Sequence, residues 1–251
     1  MLALTGCGSS MPPTTPAATG GNSLAASSTT LTVFAAASLK KTFTELGTQL
    51  EASHPGVKVT FNFAGSSDLV TQLQQGAPAD VFASADPKSM DKARADKLVE
   101  GTPVTFASNT LEIAVPPGNP AKVTSLKGLT SPVVKLVICA PEVPCGSATQ
   151  KVATSAGIRL KPVSEESSVT DVLNKVQTGE ADAGLVYVTD VAGAGDKVTG
   201  IPFAGSSAAV NLYPIAVLAD GRSKDLAKEF SALVTSADGQ KVLSAAGFAK
   251  P

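Results

Sequence analysis

Ionisable and aromatic side chains are scarce in this sequence. Its 251 residues include a single histidine (His54), three cysteines and no tryptophan, and aromatic residues make up only 4%. A closed zinc site needs several Cys or His ligands held together, so this supply argues against a directly coordinated metal. The 20 basic and 21 acidic residues give a net charge of −1, which removes the electrostatic basis for binding nucleic acid. No apolar run is long enough to cross a bilayer.

The hydrophobic residues, 43% of the chain, follow two periods from Leu31 onward. Residues 57–63 alternate between apolar and polar side chains as a half-buried strand does, whereas the apolar residues of 39–50 recur at helical spacing. The predicted strands cover 31–34, 57–63, 79–83, 111–115, 133–139, 183–188 and 212–218. The predicted helices cover 39–50, 65–76, 87–99, a segment beginning near 147, and 168–179, 223–234 and 237–246.

This alternation predicts an α/β protein in which helices cover a parallel sheet. We expect two α/β lobes joined by two chain crossings, near 108–110 and 208–211. The predicted first lobe comprises 31–108 plus 211–251, and the second comprises 109–210. The same pattern also permits one large doubly wound sheet, and composition alone does not separate the two.

Residues 1–30 contain no charged residue and consist mainly of Ser, Thr, Gly, Pro and Ala, so we expect a flexible tether. Within it, Leu4-Thr5-Gly6-Cys7 resembles the lipobox of bacterial lipoproteins, in which the cysteine is lipidated and becomes the mature N-terminus. That reading attaches the chain to the membrane only through a lipid on Cys7 and places the folded part outside the cytoplasm. The alternative is a chance cysteine in a disordered tail.

Four predicted strand-to-helix junctions are built from small residues, at 36–38, 64–67, 144–147 and 167–169. Ligands of open α/β sheets bind at the carboxyl ends of strands, where the following helices point free N–H groups outward. Serine at such a position is also simply a favoured N-cap. Four junctions of this kind predict a cleft lined with uncharged donors, which suits a fully deprotonated oxyanion because that ligand offers only acceptors.

Three sequence stretches carry a family resemblance: VFAAASL at 33–39, FAGSS at 63–67 and GAPADVFASAD at 76–86. They resemble the periplasmic molybdate-binding proteins of ABC importers, and segments at 141–146, 184–187 and 213–217 agree. The similarity covers the chain from about residue 31 onward. It implies a type II periplasmic-binding-protein-like α/β fold, with a ligand cleft between the two lobes.

The resemblance also implies a function. The protein would capture molybdate, and tungstate with it, as a metal oxyanion, and deliver it to a membrane permease driven by a separate ATPase. It would be a monomer with no cofactor and no catalytic residues. A sulfate-type oxyanion receptor is the alternative among binding proteins.

Five positions match the ligand-binding positions of that family. Ser38 and Ser67 match serines that donate hydroxyl and backbone N–H bonds, and Tyr187 matches a phenolic donor. Cys145 and Val169 fall where relatives donate a backbone N–H. Cys145 departs from the usual small residue, and its sulfur adds bulk near the anion. Ala37 and Ser66 are expected neighbours of the site.

Cys139 and Cys145 lie six positions apart around a turn that contains proline. In an oxidising compartment they could form a disulfide; otherwise Cys139 is a buried thiol and Cys145 an exposed one. A free thiol at a helix N-terminus could instead act as a nucleophile, which makes a thiol-dependent enzyme the alternative from another class. Such an enzyme would need a histidine partner, and His54 lies in a turn after the first predicted helix.

Overall fold

The computed structural model describes residues 29–251, so the predicted lipidation site at Cys7 and most of the tether lie outside the described residues. The strands are β1 (Thr29–Ala36), β2 (Val57–Ala64), β3 (Val81–Ala83), β4 (Val99–Asn109), β5 (Leu111–Val115), β6 (Leu136–Cys139), β7 (Ser164–Glu166), β8 (Ala183–Tyr187), β9 (Thr199–Ile201) and β10 (Asn211–Leu218). The α-helices are α1 (Lys40–Ser53), α2 (Ser66–Gln74), α3 (Pro87–Ala95), α4 (Pro144–Ser155), α5 (Val169–Gln177), α6 (Val188–Ala194), α7 (Lys224–Thr235) and α8 (Ala237–Ala245).

The described residues form two five-stranded sheets rather than one. The strand order is β2-β1-β3-β10-β4 in the first sheet and β7-β6-β8-β5-β9 in the second. Each sheet is mixed, since β10 runs antiparallel to β3 and β4, and β5 runs antiparallel to β8 and β9. The expectation of a parallel sheet is therefore right for the direction of four strands in each sheet and wrong for one, which is β10 in the first sheet and β5 in the second. Each of these two reversed strands is the first strand after a chain crossing.

Helices cover both faces of the first sheet. On one face α1, α7 and α8 bury a cluster that includes Phe43 and Phe230, whose rings meet edge to face at 5.4 Å. On the other face α2 and α3 pack against Phe34 and Phe82. Strands buried on both faces lose the alternation of apolar and polar residues, which explains the continuous apolar run of β1.

The second sheet has its own hydrophobic core. Val172 and Val176 of α5 lie against Gly184 in β8, where a Cβ would come within 3.0 Å of the nearest side chain. The chain passes between the sheets at Thr110, which separates β4 from β5, and again between β9 and β10. At the first crossing Asn109 Nδ2 donates to Thr189 Oγ1 at 2.8 Å.

The GAPADVFASAD stretch at 76–86 has a structural explanation. Asp80 is buried, and its carboxylate accepts the backbone N–H groups of Thr32, at 2.7 Å, and of Ser223, at 2.8 Å. These bonds join β1 to the loop before α7. Asp86 caps α3 by accepting from Ser89 N at 2.9 Å. The two acids of this motif therefore hold the first lobe together.

Three predicted boundaries are wrong. The helix predicted over 87–99 ends at Ala95, because Lys97 takes a left-handed conformation (φ 59°) and the N–H of Leu98 returns to Ala93 O. Residue 99 then begins β4, an edge strand whose first half is exposed and so shows no alternation. The strand predicted over 133–139 begins only at Leu136, and the helix predicted from near 147 begins at Pro144.

The short elements β7, β9 and α6 were not predicted from the sequence. Each is too short to show a hydrophobic period. Within the part of the chain that the structure describes, no helix combines the length and hydrophobicity needed to span a membrane. Over the same residues, no group of three or more His, Cys, Asp or Glu side chains is placed to hold a metal ion.

Candidate anion-binding site

Four helical segments begin around one small cavity between the two sheets. Two of them follow strands of the first sheet, namely the 3-10 turn Ala37–Leu39 that leads into α1, and α2. The other two, α4 and α5, belong to the second sheet. The cavity has a volume of about 10 Å³ and is lined by Ala36, Ala37, Ser38, Ala64, Gly65, Ser66, Ala85, Val143, Pro144, Cys145, Val169 and Tyr187.

The helix starts at this cavity are poorly capped. The residues that precede the three segments at Ala37, Ser66 and Pro144 are Ala36, Gly65 and Val143, and none provides a side-chain cap. The first N–H groups of a helix have no intrahelical acceptor and need a partner from elsewhere when buried. These N–H groups also carry the positive end of the helix dipole. The site therefore presents donors that an anion would satisfy.

The two predicted serine ligands differ in their surroundings. Ser38 lines the cavity, and its Oγ lies 3.0 Å from the hydroxyl of Tyr213. Ser67, the second residue of α2, does not line the cavity wall, but its Oγ is buried and has no hydrogen-bond partner. Its neighbour Ser66 does line the cavity, and the Ser66 hydroxyl accepts from Ala85 N at 3.0 Å.

Tyr187 is the last residue of β8 and is only 1% exposed. Its hydroxyl has no hydrogen-bond partner. Burial is the main cause that raises the pKa of this phenol, so the group stays protonated and remains a donor. A buried hydroxyl without a partner is costly in free energy. Since Tyr187 lines the cavity, an acceptor bound there would remove that cost.

Cys145 lies in the first turn of α4, where it lines the cavity and is 2% exposed. The structure joins it to Cys139 by a disulfide, with Cα atoms 5.7 Å apart. Cys145 is therefore a buried, disulfide-bonded residue in this structure, and the alternative of an exposed thiol is wrong. The bridge also leaves no thiol to act as a nucleophile in this state.

His54 is poorly placed to activate Cys145. It follows the last residue of α1, and its Nε2 pairs with Glu229 at 2.7 Å. The cavity lies at the opposite end of α1, about 20 Å away at the rise of an α-helix. The arrangement needed by the thiol-dependent enzyme is therefore not assembled in the structure.

Val169 and Ala37 also lie on the cavity wall. Val169 is the first residue of α5, whose N-cap Ser168 accepts from Asp171 N. That cap satisfies a later N–H of the first turn and leaves the N–H of Val169 without an intrahelical acceptor. Both residues can contribute only backbone groups and apolar contact.

Charged groups are absent from the lining of this cavity as the described residues form it. Two buried acids lie close to the lining residues in sequence: Asp86 follows Ala85, and Asp190 has a carboxylate that accepts from Tyr187 N at 2.9 Å. Burial raises the pKa of Asp190 to about 7, although the Tyr187 N–H opposes the rise. Asp190 lines a larger neighbouring groove of about 600 Å³, together with Lys40, Lys41 and Lys197.

Several residues of the site were missed by reasoning from sequence. Ala85 and Val143 line the cavity and carry only hydrocarbon side chains. Gly65 and Pro144 also line it, and the sequence indicated them only as parts of the junctions at 64–67 and 144–147. The only sequence feature that could have pointed to these residues is their position near the ends of strands, because nothing in their chemistry indicates a ligand. Tyr213 was missed for a different reason, because its contact with Ser38 joins residues 175 positions apart.

The dimensions and donors of the cavity limit what it can hold. Pockets for organic ligands usually measure about 300–1000 Å³, and this cavity is far smaller at about 10 Å³. Its polar groups are hydroxyls and backbone N–H groups at helix starts. Such a site fits a small, fully deprotonated anion held by uncharged donors.

Comparison with known proteins agrees with this chemistry. The family described as "Bacterial extracellular solute-binding protein" matches residues 31–249. The chain belongs to this family. Membership places the solute-binding protein outside the cytoplasm.

Among its relatives is the "Molybdate-binding protein ModA" of Mycobacterium tuberculosis H37Rv, which is 52% identical over 248 residues, 99% of this chain and 93% of that protein. The protein of the same name from Escherichia coli K12 is 33% identical over 229 residues, 87% of this chain and 88% of that protein. These relatives confirm the resemblance that the motifs at 33–39, 63–67 and 76–86 indicate. Both are named as binding proteins, not as enzymes.

A comparison with solved structures gives the same relationship for the fold. The solved "Azotobacter vinelandii periplasmic molybdate-binding protein" superposes with a TM-score of 0.75 at 24% identity, and the match covers 88% of this chain and 99% of that one. At that identity the likeness shows the fold alone. It confirms the predicted periplasmic-binding-protein-like architecture of two α/β lobes.

Proposed function

We propose that this solute-binding protein captures molybdate, and tungstate with it, in the cavity between its lobes and delivers the anion to an ABC importer. One observation carries the proposal. Buried hydroxyls without a partner, on Ser67 and Tyr187, occur beside helix starts that lack side-chain caps. The name and 52% identity of the mycobacterial relative support molybdate as the anion.

The physical argument is one of matching donors to acceptors. Molybdate at neutral pH offers oxygen acceptors and no hydrogen, so every group around it must donate. Ser38, Ser67 and Tyr187 would supply hydroxyl donors, and Cys145 and Val169 would supply backbone N–H groups. Several such dipoles together stabilise an anion without a cationic side chain. Phosphate retains a proton at neutral pH and would lack an acceptor here.

Sulfate is harder to exclude by chemistry, because it shares the charge and the tetrahedral shape of molybdate. Discrimination between the two then depends on the size of the cavity and the reach of its donors. An experiment must therefore compare sulfate with molybdate directly, because a sulfate-type receptor is the alternative function. Catalysis forms no part of the proposal, since the site holds the anion and does not transform it.

Delivery requires the rest of a transport system. We propose that the lobes, 31–108 plus 211–251 and 109–210, close on the anion, and that a membrane permease driven by its ATPase recognises the closed form. The division of strands between the two sheets supports these boundaries. The protein would act as a monomer, tethered through residues 1–30 by a lipid on Cys7.

A thermal-shift panel tests the proposal directly. A ligand that binds only the native state raises the melting temperature as its concentration exceeds Kd. Molybdate, tungstate, sulfate and phosphate would be compared at equal concentration, with sodium chloride matching the ionic strength. We expect molybdate and tungstate to raise the melting temperature well above sulfate, and phosphate to leave it unchanged. A larger shift with sulfate would identify a sulfate receptor, and no shift with any anion would overturn the proposal.

A further inference from the structure

Tyr213 touches the proposed anion site without lining it. It lies on β10 with 0% of its side chain exposed, and its hydroxyl is 3.0 Å from Ser38 Oγ. Its ring packs edge to face on Phe248 at 5.3 Å and on Phe106 at 6.3 Å. The ring is therefore fixed by packing, and the hydroxyl reaches Ser38 from a rigid support.

We propose that Tyr213 is a positioning residue for the anion site, which orients the Ser38 hydroxyl as a donor toward the bound oxyanion. This inference rests on the proposed function. The Ser38–Tyr213 hydrogen bond can run in either direction in the absence of a ligand. An oxyanion removes that freedom, because it can only accept.

The direction follows from counting hydrogens. Ser38 has one hydroxyl hydrogen and two lone pairs, so a Ser38 that donates to the anion can only accept from Tyr213. Tyr213 must then donate, which gives a chain from the phenol through Ser38 to the anion. Hydrogen bonds in such a chain polarise and strengthen one another.

The surroundings of Tyr213 favour that donor role. Burial raises the pKa of Tyr213, an effect only partly offset by the Ser38 hydroxyl and the Asn109 amide, so the phenol keeps its hydrogen. Tyr213 also contacts the second buried phenol of the site, since its ring centroid lies 6.1 Å from that of Tyr187. The two tyrosines come from different sheets, so the contact joins the two lobes behind the cavity.

A double-mutant cycle separates this role from a structural one. Molybdate affinity would be measured by calorimetry for the wild type, Tyr213→Phe, Ser38→Ala and the double variant. Tyr213→Phe keeps the ring and removes only the hydroxyl, so we expect Kd to rise about three- to tenfold. In the Ser38→Ala background the same change should alter Kd less than about twofold, because the group that it orients is gone.

A spectroscopic measurement gives an independent readout. The sequence contains only two tyrosines, so protein labelled with 3-fluorotyrosine has one ¹⁹F resonance each for Tyr187 and Tyr213. Saturating molybdate should shift both resonances in the wild type. In Ser38→Ala the Tyr213 resonance should shift clearly less than in the wild type, while the Tyr187 resonance should shift as before.

The outcomes distinguish the inference from the proposed function. Equal effects of Tyr213→Phe in both backgrounds, or an unchanged Kd, would overturn the positioning role while molybdate binding by the wild type stood. A Tyr213 resonance that moves as far in Ser38→Ala as in the wild type would overturn it as well. Failure of the wild type to bind molybdate would overturn the proposed function and this inference with it.

Discussion

The backbones of Gly65 and Ser167 come together across the cleft. A Cβ at position 65 would lie less than 3.0 Å from the carbonyl oxygen of Ser167, closer than real Cβ atoms come to other atoms. Gly65 has φ −59° and ψ 139°, a conformation that any residue adopts. Glycine is therefore needed here for close approach between the lobes and not for its backbone freedom.

Replacing Gly65 with alanine should hinder closure. We expect Gly65→Ala to weaken molybdate binding by about 1–3 kcal/mol, the usual cost of forcing an extra methyl into a packed contact. Each lobe should keep its fold, so the melting temperature of the ligand-free protein should change little. Gly193→Ala is the matched control, because a Cβ at that position meets nothing within 4 Å. Equal calorimetric affinities for the two variants would show that this contact does not limit closure.

The hydroxyls of Ser38 and Ser67 should each contribute to affinity. Removal of either by substitution with alanine leaves an anion oxygen short of a donor, so we expect binding to weaken by about 1–3 kcal/mol in calorimetry. Ser231→Ala serves as the control, since its hydroxyl bonds to Ala227 O within α7. Unchanged affinity in both serine variants would remove them from the site.

The Cys139–Cys145 disulfide should stabilise the protein without being required for binding. It closes a short loop, so replacing both cysteines with alanine should lower the free energy of unfolding by about 2 kcal/mol. The backbone N–H at position 145 remains, and molybdate should still bind, with affinity lowered less than about tenfold. Urea unfolding and calorimetry measure the two effects. Complete loss of binding would mean that the bridge itself builds the site.

Asp190 should make the free energy of unfolding fall as the pH rises, which is the opposite of the usual effect of an aspartate. Its pKa is about 7 in the fold and about 3.9 in the unfolded chain. Between these values the native state binds more protons than the unfolded state, so this group lowers stability as pH rises, by up to about 1.4 kcal/mol per pH unit. Above about pH 7 both states are ionised and the dependence ends.

Asp190→Asn should remove this component while keeping an oxygen to accept from Tyr187 N. Urea unfolding at several pH values from 4 to 8 would show a flatter profile for the variant than for the wild type. Parallel profiles for wild type and Asp190→Asn would show that Asp190 does not titrate in this range.

Long, strongly patterned elements of the fold could be predicted from sequence. Periodicity located α1, β2 and the helices of the C-terminal segment to within a few residues. It failed for β4, whose exposed first half has no alternation, and for three-residue strands such as β7 and β9. The antiparallel direction of β5 and β10 depends on how the chain crosses between sheets, which no local pattern encodes.

The chemistry of the site was more predictable than its geometry. Serine and glycine at strand ends indicated uncharged donors, and the resemblance supplied the individual positions. Tyr213 could not be found in this way, because its importance comes from a contact between β10 and the end of β1. Gly65 was visible as a small residue, but its close approach to Ser167 appears only once the two sheets are placed together.

The central claim is that uncharged donors from both lobes hold the anion without a cationic side chain. A crystal structure of the protein soaked with molybdate tests it most directly. We predict that every molybdate oxygen accepts from a hydroxyl or backbone N–H group, with Ser38, Ser67 and Tyr187 among the donors. A lysine or arginine side chain in contact with the anion, or an empty cleft at saturating molybdate, would contradict the account.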